Sequence, residues 1–364
     1  MHQTPVPSNK LDYTQKNPFL ENVGDGPNKI FMDKFSGHEI EVTAAEIEFL
    51  KNFESEKKIE QIWGTNTHID LITKGLVLSD KVLRNAYTKT LYSFDIELAS
   101  SCNASCIFCP RKQLEEGRGF GIMRKANFLR YAEQIAQYAK RVAFVGIGEP
   151  TLSGYLPEAI SFFRKRGIFT ALVTNASLLT AERIQAILDS GPNIISISFN
   201  GGSKESYEST MLGLDFDSVV SNVRLLLEKN TDDIKIVLTA VATSKYTPSR
   251  SEIENLFLPW KPAISISGCH SRGGTIDNLV TAIPESMGLS RCGLYNSHNF
   301  LSWKGTLHAC CHDIEGLAKI GSLDNVTLEE IAKRKIKMIS TGQFYSICES
   351  CDEPKRTAQV DYHQ

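Results

Sequence analysis

Six short apolar runs separated by amphipathic segments fill residues 92–267 and leave few folds open to this chain. The runs are 92–98, Val142–Gly146, Phe169–Thr174, Ile194–Ser198, Ile234–Ala240 and Ala263–Ser267. Near-continuous apolar runs of this length suit strands buried on both faces of a parallel sheet. Between them lie helical segments at 127–140, 156–165, 181–189, 216–229 and 251–257. In the first, Phe128, Tyr131, Ala132, Ile135, Tyr138 and Ala139 recur at steps of three and four and give one apolar face. The alternation predicts an α/β fold, either a partial barrel or a doubly wound sheet, with helices outside. In both, ligands bind at the C-terminal ends of the strands.

The first of those ends carries Cys102, Cys106 and Cys109 at C-x3-C-x2-C spacing, directly after the first run. Three thiolates on one loop can hold three corners of an iron–sulfur cube and leave the fourth iron open for chemistry. A structural zinc loop is the competing reading, but it needs four closed ligands. No fourth Cys or His lies in the fifteen residues after Cys109.

The motif and its place after a first strand resemble the radical S-adenosylmethionine (SAM) superfamily, with Phe108 matching the aromatic that precedes the third Cys. The resemblance implies a partial (β/α)6 barrel and a 4Fe–4S cluster held by Cys102, Cys106 and Cys109. It also implies SAM chelated to the open iron and cleaved on reduction to methionine and a deoxyadenosyl radical. An electron donor such as flavodoxin or ferredoxin is implied as partner.

Gly146-Ile147-Gly148-Glu149-Pro150 follows the second run. Its glycines allow close backbone approach to a ligand, and the proline fixes the turn. The family counterpart is a Gly-Gly-Glu-Pro loop that holds the SAM ammonium group. Gly148, Glu149 and Pro150 match it, whereas Ile147 replaces a glycine. Glu149 as a helix-capping carboxylate is the alternative. Asn175 and Ser198 end the third and fourth runs, where the family presents polar residues to SAM.

Six of the nine cysteines lie in the last hundred residues. Cys292, Cys310, Cys348 and Cys351 suit zinc or a fully ligated 4Fe–4S cluster, and spacing alone leaves both open. They resemble the twitch version of the SPASM extension of radical SAM enzymes, which implies one auxiliary 4Fe–4S cluster. Such a cluster can accept an electron from a substrate radical. Cys269, at the end of the sixth run, is a candidate hydrogen-atom donor, and Cys311 a spare or alternative ligand.

Before the barrel, residues 1–27 read as an irregular arm rich in Pro and Gly. Lys29–Met32 and Glu39–Val42 read as a hairpin, and Thr43-Ala44-Ala45-Glu46 as a capping box opening three short helices. Residues 28–80 thus make a winged-helix-like unit. It resembles the leader-binding element of enzymes that modify ribosomally made peptides, and an N-terminal cap on the barrel is the alternative. The expected organisation is completed by a core barrel over 91–285 and an extension over 286–364.

A net charge of −2 offers no field for nucleic acid, and no apolar run spans a bilayer. With no secretory signal, a cytoplasmic protein with reduced thiols is expected. The expected function is radical oxidation, crosslinking or epimerisation of a ribosomally made peptide. The rivals are a radical dehydrogenase or epimerase of a small polyol or aminocyclitol, and a zinc-stabilised binding protein.

Overall fold

All six apolar runs form strands, and all six lie side by side in parallel. The computed structural model describes residues 87–231, 234–276, 278–281, 292–341, 345–349 and 351–353, with the N-terminal segments 15–16, 20–24, 29–33, 39–44, 46 and 77–78. Two compact units are formed, one by 1–90 with 332–343 and one by 91–331 with 344–364.

In the larger unit the strands are β1 (Ser93–Ile96), β2 (Arg141–Phe144), β3 (Phe169–Thr174), β4 (Ile194–Ser198), β5 (Lys235–Ala242) and β6 (Ala263–Gly268). They pair in sequence order, from Phe94 against Val142 to Leu238 against Ile264. Sequential parallel pairing through crossover helices gives the partial barrel, one of the two arrangements the alternation left open. Three further strands, β7 (His298–Leu301), β8 (Thr306–His308) and β9 (Lys319–Ser322), extend the same sheet beyond β1. β7 runs parallel to β1, with Phe300 opposite Asp95, and β8 and β9 follow as antiparallel ribbons. The sheet therefore continues without a break from the core into the C-terminal extension.

Local chemistry sets the helix limits. Thr180 accepts from the Arg183 amide to open 181–190, and Gly191 closes it at φ +67°, a left-handed conformation that favours glycine. Asp215 and Ser249 cap 216–229 and 250–256 in the same way. The helix expected over 127–140 stops at Ile135. Beyond it the amides of Lys140 and Arg141 bond to Tyr92 O and commit the chain to β2. Tyr138 then turns its hydroxyl to Glu329 at 3.0 Å.

Phe128 from the 125–135 helix meets Phe144 of β2, Tyr155, Phe162 and Phe163, with ring centroids 5.6–6.3 Å away. The pairs with Phe162 and Phe163 are edge-on, and pairs of that kind add about 0.5–1.5 kcal/mol each beyond their buried area. Phe128→Ala should therefore cost about 3–5 kcal/mol. Denaturant unfolding should show this as a lower midpoint at unchanged slope.

In the smaller unit, Lys29–Asp33 pairs antiparallel with Glu39–Val42, as the hairpin reading has it. Thr43 and Glu46 make the reciprocal capping-box bonds, Thr43 N to Glu46 Oε2 at 2.8 Å and Glu46 N to Thr43 Oγ1 at 3.4 Å. The irregular arm needs correcting. Leu20–Gly24 adds a third strand against Lys29–Asp33, and Gln15–Lys16 pairs with Val77–Leu78. Gly24 sits where the register shifts. The helices expected over 47–75 lie outside the described residues.

Candidate active site

The site is built from the C-terminal end of β1 outward, beginning with a residue that carries no motif. Glu97 is fully buried directly after β1. Its carboxylate pairs with both terminal nitrogens of Arg118, at 2.6 and 3.2 Å. It also accepts from the amides of Ile147 (3.2 Å) and Trp303 (3.4 Å). Arg118 in turn donates to Ile314 O and stacks over the Phe300 ring. One buried ion pair thus joins the first strand, the glycine loop after β2 and the extension. Motif reading missed both residues, because a lone Glu and a lone Arg twenty-one positions apart have no signature until the fold pairs them.

The three-cysteine loop leaves Glu97 and is held by backbone. Ser105 N donates to Leu212 O and Ile107 N to Thr210 O, while Arg111 reaches back to Ala104 O at 2.7 Å. Glu149 N donates to Ser101 O and docks the glycine loop on this one. At Gly148 any Cβ would run into the backbone of Ala99, Ser100 and Ser101, so only glycine permits that approach.

Cys102, Cys106 and Cys109 open onto one cavity with Phe108, Gly148, Glu149, Asn175 and Ser198. Gly146, Met211 and Arg272 complete its wall. Met211 Sδ lies 3.5 Å from Cys106 Sγ, a contact that the sequence reading missed for want of any spacing rule. Pro150 is not on the wall. It is buried in the first turn of a short 3-10 helix and stiffens the loop from behind. Glu149 serves in both its readings: it lines the cavity, and it caps that turn by accepting from Thr151 N at 3.0 Å. Its other bonds, from Thr174 Oγ1 and Asn175 N, fasten the end of β3 to the loop.

Burial pushes the Cys106 thiol up to about 12, and the charges of Cys109 and Cys102 add to the shift. The three sulfurs therefore lie close enough to oppose one another's ionisation. Arg111 works against that opposition at all three. A set of three converging thiols that resists ionisation until cations arrive fits iron–sulfur ligation.

Cys310, Cys348 and Cys292 converge in the same manner. Burial, then the neighbouring sulfurs, holds the Cys310 thiol well above its ordinary value. Cys292 Sγ accepts from Tyr295 N and so caps the short helix 293–297, and Cys351 lies three residues beyond Cys348. Three converging thiols of this kind suit metal or cluster ligation.

A second cavity, of about 850 Å³, runs through the sheet interior from Ser93 and Arg141 to Gly268 and Arg272. Asp95 accepts from His298 on its wall at 2.7 Å. At the strand ends Glu353 Oε2 is shared by His270 Nε2 (3.1 Å) and His312 Nε2 (3.0 Å). Burial, then the charges of Arg272 and His312, drives His270 down to about 4. Cys311 lines this cavity. Cys269 is buried, its thiol directed at His270 O, and it borders neither of the two cavities described. Both residues lie past the last residue of β6, where Cys269 N donates to Ala242 O at 2.7 Å and Cys269 O accepts from Thr281 N, and of the two only His270 lines the cavity.

Residues 96–252 match the radical SAM superfamily model. Over this stretch the chain is similar to the radical SAM superfamily. The cofactors of that family are a 4Fe–4S cluster and SAM, and the first cavity fits them by its three thiols and its glycine cradle. The chain is 21% identical over 159 residues to a probable GTP 3',8-cyclase of Methanococcus maripaludis, covering 44% of this chain and 53% of that one. It is 31% identical over 106 residues to a PqqA peptide cyclase of Rhodopseudomonas palustris, covering 29% and 28%. The chain thus spans about half or less of these curated relatives.

Among solved structures, BtrN in complex with AdoMet and 2-DOIA superposes with a TM-score of 0.51 at 18% identity, covering 74% of this chain and 96% of that one. Streptococcus suis SuiB bound to precursor peptide SuiA gives 0.52 at 14%, covering 84% and 83%. At these identities the likeness is one of fold. No helix among the described residues is long and apolar enough to cross a membrane.

Proposed function

We propose that this protein is a radical SAM enzyme that removes a hydrogen atom from a ribosomally made peptide, with a second cluster in its extension. The observation that carries the reading is the single cavity walled by Cys102, Cys106, Cys109 and the Gly148 loop. When bound and reduced, the first cluster supplies the electron that splits SAM into methionine and a deoxyadenosyl radical.

The chain's own residues divide the remaining tasks. Gly146–Gly148 let backbone approach the cofactor, and Glu149 locks that backbone to β3 through Asn175. Asn175 Nδ2, 3.1 Å from Asn103 Oδ1, keeps the cysteine loop and the β3 end together. The larger cavity adjoins the first, with Val145, Val173 and Arg272 common to both walls, so it is the natural seat for the substrate. Cys292, Cys310, Cys348 and Cys351 would hold the auxiliary cluster beside that cavity, ready to take up the second electron of an oxidation. A flavodoxin- or ferredoxin-type protein would supply the first.

The peptide assignment draws on the small antiparallel sheet at the N-terminus, whose edges could accept an added strand. It also draws on the peptide-acting proteins among the relatives and fold neighbours. Anaerobic incubation of reduced protein with SAM should release deoxyadenosine and methionine in equal amounts, with deuterium appearing in deoxyadenosine from a labelled peptide substrate. A colourless protein carrying zinc and no iron would end this reading. Cys348→Ala should lose about half the iron, one 4Fe–4S cluster of two. It should keep SAM cleavage and lose product formation, as measured by iron assay and chromatography of both products.

A further inference from the structure

Arg272 is the one described side chain, apart from Val145 and Val173, that borders both cavities, and its surroundings are built to hold it there. Its backbone is left-handed at φ +55°, a conformation that a non-glycine residue adopts only where its surroundings impose it. The imposing contact is Asp352, which accepts from Ser271 N at 2.7 Å and from Ser271 Oγ at 2.8 Å. Gly273 and Gly274, also at positive φ, complete the turn.

The guanidinium itself makes no hydrogen bond or ion pair among the described residues. Both nearby carboxylates are otherwise engaged, Asp352 by Ser271 and Glu353 by the two imidazoles. A half-buried arginine at the junction of two cavities, its charge felt by Cys109, has five donors that no carboxylate among the described residues answers. Its planar fork matches a carboxylate better than any neutral acceptor.

We propose that Arg272 is the anchor for a carboxylate of the substrate, so that the enzyme selects a substrate with an acidic group beside the carbon that reacts. This rests on the larger cavity being the substrate seat. The carboxylate that SAM itself carries is the competing source, and the test separates the two.

The SAM-loaded, cluster-replete protein is titrated with N-acetyl-glutamate N-methylamide and with its glutamine counterpart, and SAM affinity is measured separately. Wild type should prefer the acidic probe by about tenfold, the scale of one charge-assisted hydrogen bond. In Arg272→Gln the preference should vanish while SAM affinity changes less than about twofold, and Arg272→Lys should restore part of it. Equal binding of the two probes by wild type overturns the proposal. So does a preference that survives in Arg272→Gln, or a loss confined to SAM affinity. Because binding is read without turnover, a protein that fails to make deoxyadenosine leaves this result standing on its own.

Discussion

Cys106→Ala should cut reductive SAM cleavage by at least about a thousandfold, well beyond the 10–100-fold typical of losing a residue that merely supports a metal ligand. Cys106 is the middle of three converging thiols and the one that burial, and then the charges of Cys109 and Cys102, bring to about 12. Without it, two thiols remain for a cube that needs three protein corners. The loop itself should survive. Its shape comes from the bonds of Ser105 and Ile107 to Leu212 and Thr210, and from Arg111 on Ala104 O, none of which uses the sulfur. The expected result is a folded protein whose iron falls from about eight to about four per chain. Iron assay, circular dichroism and deoxyadenosine yield check it together. Full iron with unimpaired cleavage would remove this loop from the site.

Arg118→Ala should be the most destabilising single change in the larger unit, at about 3–5 kcal/mol, the range for stranding one charge of a buried pair. Glu97 would be left with no counter-charge in a place that water does not reach. The stacking of Arg118 over Phe300 and its bond to Ile314 O would go as well. For a unit of this size the loss corresponds to about 10 °C in Tm. Surface pairs such as Lys125–Glu158, both half-exposed, should give under about 1 kcal/mol when broken and serve as the control. Glu97→Gln keeps an acceptor for the Ile147 amide and should cost less than Glu97→Ala, which leaves that amide unanswered. Calorimetry on the three variants decides the order. An Arg118→Ala protein as stable as the Lys125→Ala control would mean that the pair does not join the core to the extension.

Much of this protein was legible before its fold was seen, and the reason is locality. Apolar runs of strand length, amphipathic periodicity and caps such as Thr180 and Asp215 act within a few residues, so β1 to β6 could be read to within about two residues, and their helices too apart from the first, which stops at Ile135. Three cysteines within eight positions and a glycine loop five residues long are equally local, which is why part of the first cavity's wall was named in advance, while Met211 and Arg272 were not. Leu20–Gly24 escaped because a strand's partner, not its own Pro and Gly content, decides whether it forms.

What chain order could not contain is the set of pairings across long separations. Glu97 meets Arg118, Ile147 and Trp303; Asp352 reaches back to Ser271; β7 returns to lie along β1. Facing was beyond it too: past the end of β6 His270 lines the cavity and Cys269 does not, while Cys311 arrives from the extension. Residue types and spacing determined which cofactors this chain can hold. The burial of charge and the direction of side chains, both properties of the packed whole, decided which residues line the two cavities.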